Sequence, residues 1–253
     1  MRRALPLFLV WLAMLAAGHW QPLSPDAVDM AARFAPPSAR HWLGTDNLGR
    51  DLASRLMAGA GRTAWVVVWV TGIAFAGGAL IGTLAAMAGG WREALLLRLA
   101  EMGIVVPTLI VALVAGAVLG LRPATAGIAL GLAGIGPFAL SAHSLTRRAL
   151  GLDFVRAARA LGVGRAGLML RHILPETLPV LFAQVSAQAG AAVVAFAALS
   201  FIGLGADPTA PDWGGMLFEY RMFIFDHPRL AFAPGLAIAV VVAAASLTFD
   251  PGE

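Results

Sequence analysis

The chain has 253 residues, 59% of them hydrophobic and 29 more glycine, while only 13% are charged, about half the share of a soluble domain. The formal net charge is +4, all 18 basic residues are arginine, and cysteine is absent. This composition excludes an ordinary soluble enzyme, and the lack of lysine and cysteine excludes a Walker A loop, a lysine Schiff base, thiolate zinc and disulfides.

Crossing the ~30 Å hydrocarbon layer takes roughly 20 helical residues, and six windows free of Asp, Glu, Lys and Arg are that long. Helices are expected in them, because backbone groups in lipid must be satisfied within the segment. The first window, residues 4–25, follows Arg2 and Arg3 and reads either as a span or as a secretory signal peptide. Residues 26–62 are polar. Within them Gly44, Thr45, Asp46, Gly49, Arg50 and Asp51 predict a turn leading into a helix, with Thr45 or Asp46 as its cap. Such a segment braces the mouth of a bundle or meets an external partner or substrate.

The next windows are 63–91, 102–121 and 123–146. Gly78 with Gly82, Gly116 with Gly120, and Gly127 with Gly131 have the four-residue spacing that brings helices close in lipid. Glu101 opens the third window, one turn after Arg98 and ahead of Pro107. It reads either as the partner of Arg98 or as a group on a translocation path.

Residues 147–175 contain six arginines and one aspartate. Asp153 is expected to cap a short amphipathic helix with Val155, Ala158 and Leu161 on its apolar face and Arg156 and Arg159 on another. Gly162 and Gly164 end it, and Pro175 is expected to redirect the chain into the membrane. The helix then runs parallel to the membrane and reads either as a surface helix whose arginines meet anionic lipid headgroups or as a docking element. The fifth window, 177–206, carries Gln184 and Gln188 on one face, suited to interhelical hydrogen bonds or to lining a path. Residues 207–229 are polar again, and 230–249 form the last window.

Six spans put both termini on one side. That side then holds ten arginines and six acids, against eight and eight on the other. The positive-inside rule makes the first side cytoplasmic, and with it residues 147–175. Two parts follow, residues 1–62 with the first helix and an external segment, and residues 63–253 as a five-helix core.

The run Arg156-Ala157-Ala158-Arg159-Ala160-Leu161-Gly162, continued by Arg165 and by Arg171-His172-Ile173-Leu174-Pro175, resembles the EAA loop of ABC-importer permeases, with Arg156 where that motif has glutamate. His41-Trp42-Leu43-Gly44-Thr45-Asp46-Asn47-Leu48-Gly49-Arg50-Asp51 is similar to the external signature of the dipeptide, oligopeptide and nickel permeases, with Trp42 for proline. Ser200-Phe201-Ile202-Gly203-Leu204-Gly205, Pro211-Asp212-Trp213-Gly214 and Pro234-Gly235-Leu236-Ala237 resemble that family's later blocks, in order. The end of the chain departs from the family's longer amphipathic tail.

The resemblance implies an all-α, polytopic membrane protein, a six-helix permease bundle of the type I importer kind, in a bacterial inner membrane. It implies a related second permease chain, two ATPase subunits, an external substrate-binding protein and surrounding lipids as partners, and no nucleic acid. ATP and magnesium would sit on the ATPase subunits, with no cofactor on this chain and no catalytic residue of its own. The cargo would be nickel, a nickel chelate, or di- and oligopeptides. His19, His41, His143, His172 and His227 form no i,i+3 or i,i+4 pair, so no metal site is expected. The rival reading is an autonomous ion-coupled carrier, which needs intramembrane acids, and only Glu101 qualifies, at the edge. An intramembrane hydrolase lacks a paired nucleophile and base.

Overall fold

The computed structural model describes residues 5–120, 122–203 and 210–247, and every named element among them is helical. These are α1 (Leu5–His19), α2 (Leu52–Ala88), α3 (Gly90–Val105), α4 (Thr108–Leu119), α5 (Pro123–Leu150), α6 (Asp153–Ala160), α7 (Arg165–Leu168), α8 (Leu174–Phe201), α9 (Trp213–Tyr220) and α10 (Arg229–Leu247). Four helices are long and apolar enough to cross a membrane: Leu52–Ala88, Pro123–Leu150, the continuous run Arg165–Phe201, and Arg229–Ser246. Helices α3 and α4 are long and apolar enough only as a pair, bent by 76° at the break between them. α1 is shorter, yet Met14 is buried in the main core beside α2. A multi-pass helical membrane protein is the result.

Three sequence boundaries change. The third window began at 102 because it admitted no charge, whereas α3 starts at Gly90 and carries Arg92, Glu93, Arg98 and Glu101. The bend falls at Val106 and Pro107, since proline excludes the helical conformation from the residue before it. Pro175 does not redirect the chain. A π-helical turn, Met169–Ile173, joins α7 to α8, and its wider ring lets the Leu174 N–H reach the Met169 carbonyl just ahead of the proline. Residues 204–206 and 248–249 of the last two windows lie outside the described residues.

Helix contacts in lipid depend on close approach of backbones, and α2 with α5 is the central pair. A Cβ on Gly127 would lie 2.5 Å from Trp69 Cβ, one on Gly78 2.3 Å from Phe138 Cβ, and one on Gly82 2.1 Å from the Ala139 carbonyl oxygen. Residue numbers rise together on both helices along this seam, so α2 and α5 run parallel. The two glycine pairs named above are therefore one interface. Gly116 and Gly120 differ: Gly116 is buried, but Gly120 is the α4 C-cap with φ of 78° and open space around it. At the other end of α2, Gly18 and Gly61 meet, a Cβ on Gly18 falling 2.5 Å from Gly61 Cα.

α2 is 37 residues long, ~55 Å at 1.5 Å per residue and far more than a bilayer core requires. Its first turns therefore stand outside the hydrocarbon and support the polar segment before them. Exposed Trp65 and Trp69 on α2, and exposed Trp91 just beyond its end, mark the two interfacial levels.

Candidate functional site

Two places gather the residues singled out in the sequence, at opposite ends of α2. At its start, Asp46 lies at the centre of a buried polar knot. Its Oδ1 accepts from the backbone N–H groups of Leu48 (2.8 Å) and Arg50 (2.9 Å), and its Oδ2 from Arg50 Nε (2.7 Å) and the Tyr220 hydroxyl (3.0 Å). Arg55 Nε lies 3.6 Å from the same Oδ2, and Arg55 Nη2 donates to Glu219 at 3.0 Å. The other Glu219 oxygen accepts from Arg50 Nη2. Two arginines and two carboxylates close a neutral ring that ties the segment before α2 to α9. Asp46, Arg50, Arg55 and Tyr220 are all at most 2% exposed.

Burial acts against the Arg50 charge, but Asp46 and Glu219 more than offset it and raise its pKa above the ordinary guanidinium value. Burial pushes the Tyr220 hydroxyl far up, against the pull of Arg55. The phenol stays neutral and donates.

The helix cap is Asp51 rather than Thr45 or Asp46. Its Oδ2 accepts from Ser54 N (2.8 Å) and Ser54 Oγ (2.7 Å), while its Oδ1 meets His41 Nδ1 at 3.0 Å. Thr45 instead links Ala32 and Ala35 through its hydroxyl. Gly49 has φ of 74°, and a Cβ there would fall 1.7 Å from the Asp29 carbonyl oxygen. Gly44, with φ of 77°, has the Ala35 carbonyl and the Arg229 guanidinium against it, and Arg229 Nη2 donates to Ala35 O at 2.7 Å. Gly44, Thr45, Asp46, Gly49, Arg50 and Asp51 are thus all spent on holding the segment together. Glu219, Tyr220 and Arg229 were not singled out in the sequence. The signal for Glu219 and Arg229 was the balance of eight arginines with eight acids on one side of an apolar chain.

At the other end of α2 lies the basic loop. Val155 and Ala158 of α6 are buried with Ala149, Leu168 and Ile173 in a small core. Leu161, expected on that face, is 86% exposed, because the helix stops at Ala160 and Gly162 turns the chain with φ of 86°. Asp153 does not cap: Leu152 holds that position without a side-chain bond, and Asp153 is fully exposed. Arg156, Ala157, Gly162, Arg165, Arg171 and Pro175 are exposed and His172 is half-buried, its ring 6.2 Å from that of Phe154.

Within the bundle, Glu101 and Arg98 are exposed and form no ion pair with any described residue. The acid that joins two spans is Glu93, missed by the charge-free window. Its Oε1 lies 2.6 Å from His143 Nε2 and 3.3 Å from Arg147 Nε, tying α3 to α5. Gln184 and Gln188 are half-buried, and the Gln188 amide lies against Gly134 of α5. Among the described residues no group of three His, Asp or Glu side chains is placed to hold a metal ion.

Residues 78–250 match the family described as binding-protein-dependent transport system inner membrane component. The chain is 32% identical over 245 residues to the probable D,D-dipeptide transport system permease protein of Escherichia coli, covering 96% of this chain and 82% of that one. It is 33% identical over 242 residues to the nickel transport system permease protein of Escherichia coli, covering 96% and 87%. Against the glutathione transport system permease protein of Pectobacterium atrosepticum the figures are 32% over 214 residues, 85% and 71%.

Proposed function

The chain belongs to the family of binding-protein-dependent transport system inner membrane components, and from that premise we propose that it forms half of the translocation path of an ATP-driven importer. Its partners are a related second permease, two ATPase subunits that hold ATP and magnesium, an external substrate-binding protein, and membrane lipids. Six crossings, with α1 and the bent α3 and α4 as two of them, put both termini and residues 147–175 on the cytoplasmic side. Residues 26–62 and 207–229 then face outward.

The observation that carries this reading is α6. One face, Val155 and Ala158, is anchored in the chain's own small core. The other, with Arg156, Ala157 and the following Leu161, is offered to solvent. A helix held that firmly can transmit a push from an ATPase subunit into α5 and α8, to which it is joined. The Arg156 charge calls for an acidic surface on that subunit. An ion-coupled carrier is not favoured, since Glu93 is paired with Arg147 and in contact with His143, and Glu101 is exposed.

The relatives' names span nickel, a dipeptide and glutathione at nearly equal identity, so the cargo is a nickel ion or chelate or a di- or oligopeptide, selected by the binding protein. Nothing in Gln184, Gln188 or Glu101 distinguishes them. The test is reconstitution in proteoliposomes. The purified chain alone should hydrolyse no ATP, and hydrolysis and uptake should appear with the second permease and the ATPase subunits. Turnover by the chain alone, freed of contaminating ATPases, overturns the reading.

A further inference from the structure

Behind α6, where α2 and α5 end, lies a cleft of about 570 Å³ lined by Arg147, Arg159 and Arg165. Its remaining wall includes Met87, Leu150 and Val163, and among the described residues no carboxylate lines it. Arg147 is partly neutralised by Glu93 at 3.3 Å. Arg159 and Arg165 form no ion pair with any described residue. Two guanidinium groups facing one cleft repel each other unless an anion lies between them, and the planar donor fork of arginine fits phosphate oxygens in pairs.

We propose that this cleft binds the phosphate headgroup of an anionic phospholipid. Depth supports it. Ala86 and Met87 belong to the last turn of α2, and Trp91, 72% exposed, lies just past it at an interfacial level. The mixed lining supports it too, because Arg159 and Arg165 take the phosphate while Met87, Leu150 and Val163 offer apolar surface to the glycerol and upper acyl chains. A free inorganic anion would gain nothing from that apolar half. The bound lipid would brace the basic turn between α6 and α7 against the ends of α2 and α5, and so set how stiffly the loop is held. The proposal rests on the chain being a membrane permease, not on its docking to an ATPase.

The test is native mass spectrometry of the full-length chain in micelles doped with phosphatidylglycerol or phosphatidylcholine. Wild-type chain should retain phosphatidylglycerol about 30-fold more tightly, as two arginine contacts supply. The double variant Arg159→Gln/Arg165→Gln should fall to the phosphatidylcholine level, while Arg92→Gln, on the same side but outside the cleft, should not. Millimolar inorganic phosphate should fail to displace the lipid. Equal retention of the two lipids, an unchanged double variant, or an equal loss in Arg92→Gln overturns the proposal. So does displacement by inorganic phosphate, which marks a free-anion site, or by the ATPase subunit, which marks an acidic protein segment as the occupant. ATPase retention on the same samples reports separately on the transport reading, and a thermal unfolding scan confirms that the variants fold.

Discussion

Asp46 accepts four hydrogen bonds with no water-exposed surface of its own, 0% by accessibility. Leaving one member of a buried ionic cluster unpaired costs about 3–5 kcal/mol, which makes the knot an all-or-none brace. Tyr220 is the most easily read member, since the chain has a single tyrosine. Its pKa is raised above the ordinary value of 10.0. A raised folded-state pKa contributes stability that is full below pH 10 and is lost as pH rises from there toward the folded value. The folded chain should therefore show no tyrosinate absorbance at pH 10–11, and ionisation should appear only together with unfolding. Tyr220→Phe should cost about 1.5–3 kcal/mol at neutral pH, the worth of a hydrogen bond to a charged group. It should also flatten the alkaline loss of stability. Free titration of Tyr220 near pH 10 in the folded chain would contradict the buried contact with Asp46.

At the scale of the element, α6 separates two alanines that look alike in sequence. Ala158 is 8% exposed and packs inward, whereas Ala157 is exposed. Ala158→Leu should lower the chain's own thermal stability by the ~1–3 kcal/mol of overpacking. Ala157→Leu should leave stability within ~0.5 kcal/mol and reduce retention of the ATPase subunit. Thermal scans and co-purification of both variants check this, and equal effects on stability would mean that α6 is not anchored as described. The sequence made α6 legible through the spacing of Val155 and Ala158, and its end through Gly162. It could not show that Leu161 turns outward, because that depends on the helix stopping one residue earlier. α2 with α5 was legible as glycine spacing, but the pairing was not: which helix receives Gly78 or Gly127 is a matter of long-range contacts. The motif before α2 was legible as a unit, while its partners Glu219 and Tyr220, about 170 residues away, had no local signal. Glu93 was hidden by the charge-free criterion itself.

For the whole molecule, the parallel run of α2 and α5 decides what the bent α3 and α4 do. A re-entrant excursion would return the chain to the side where α2 ended, and α5 would then run antiparallel to α2. Their contacts run parallel, from Val66 with Gly127 to Gly82 with Ala142, so α3 and α4 together cross. The polar knot and the basic loop therefore lie on opposite faces. Which face is cytoplasmic follows from uncompensated charge. Residues 92–101 and 147–176 hold eight arginines against four acids, while of the eight arginines on the knot side Arg50 and Arg55 are locked in a neutral ring. The loop side is the more positive, which supports the proposed orientation with that side inward. The chain has no native cysteine, so single cysteines report cleanly. Asp226→Cys and Ala160→Cys both replace exposed residues. In spheroplasts an impermeant maleimide should label Asp226→Cys at once, and Ala160→Cys only after the membrane is opened. The reverse pattern would invert the orientation. Labelling of both from outside would mean that α3 and α4 do not cross.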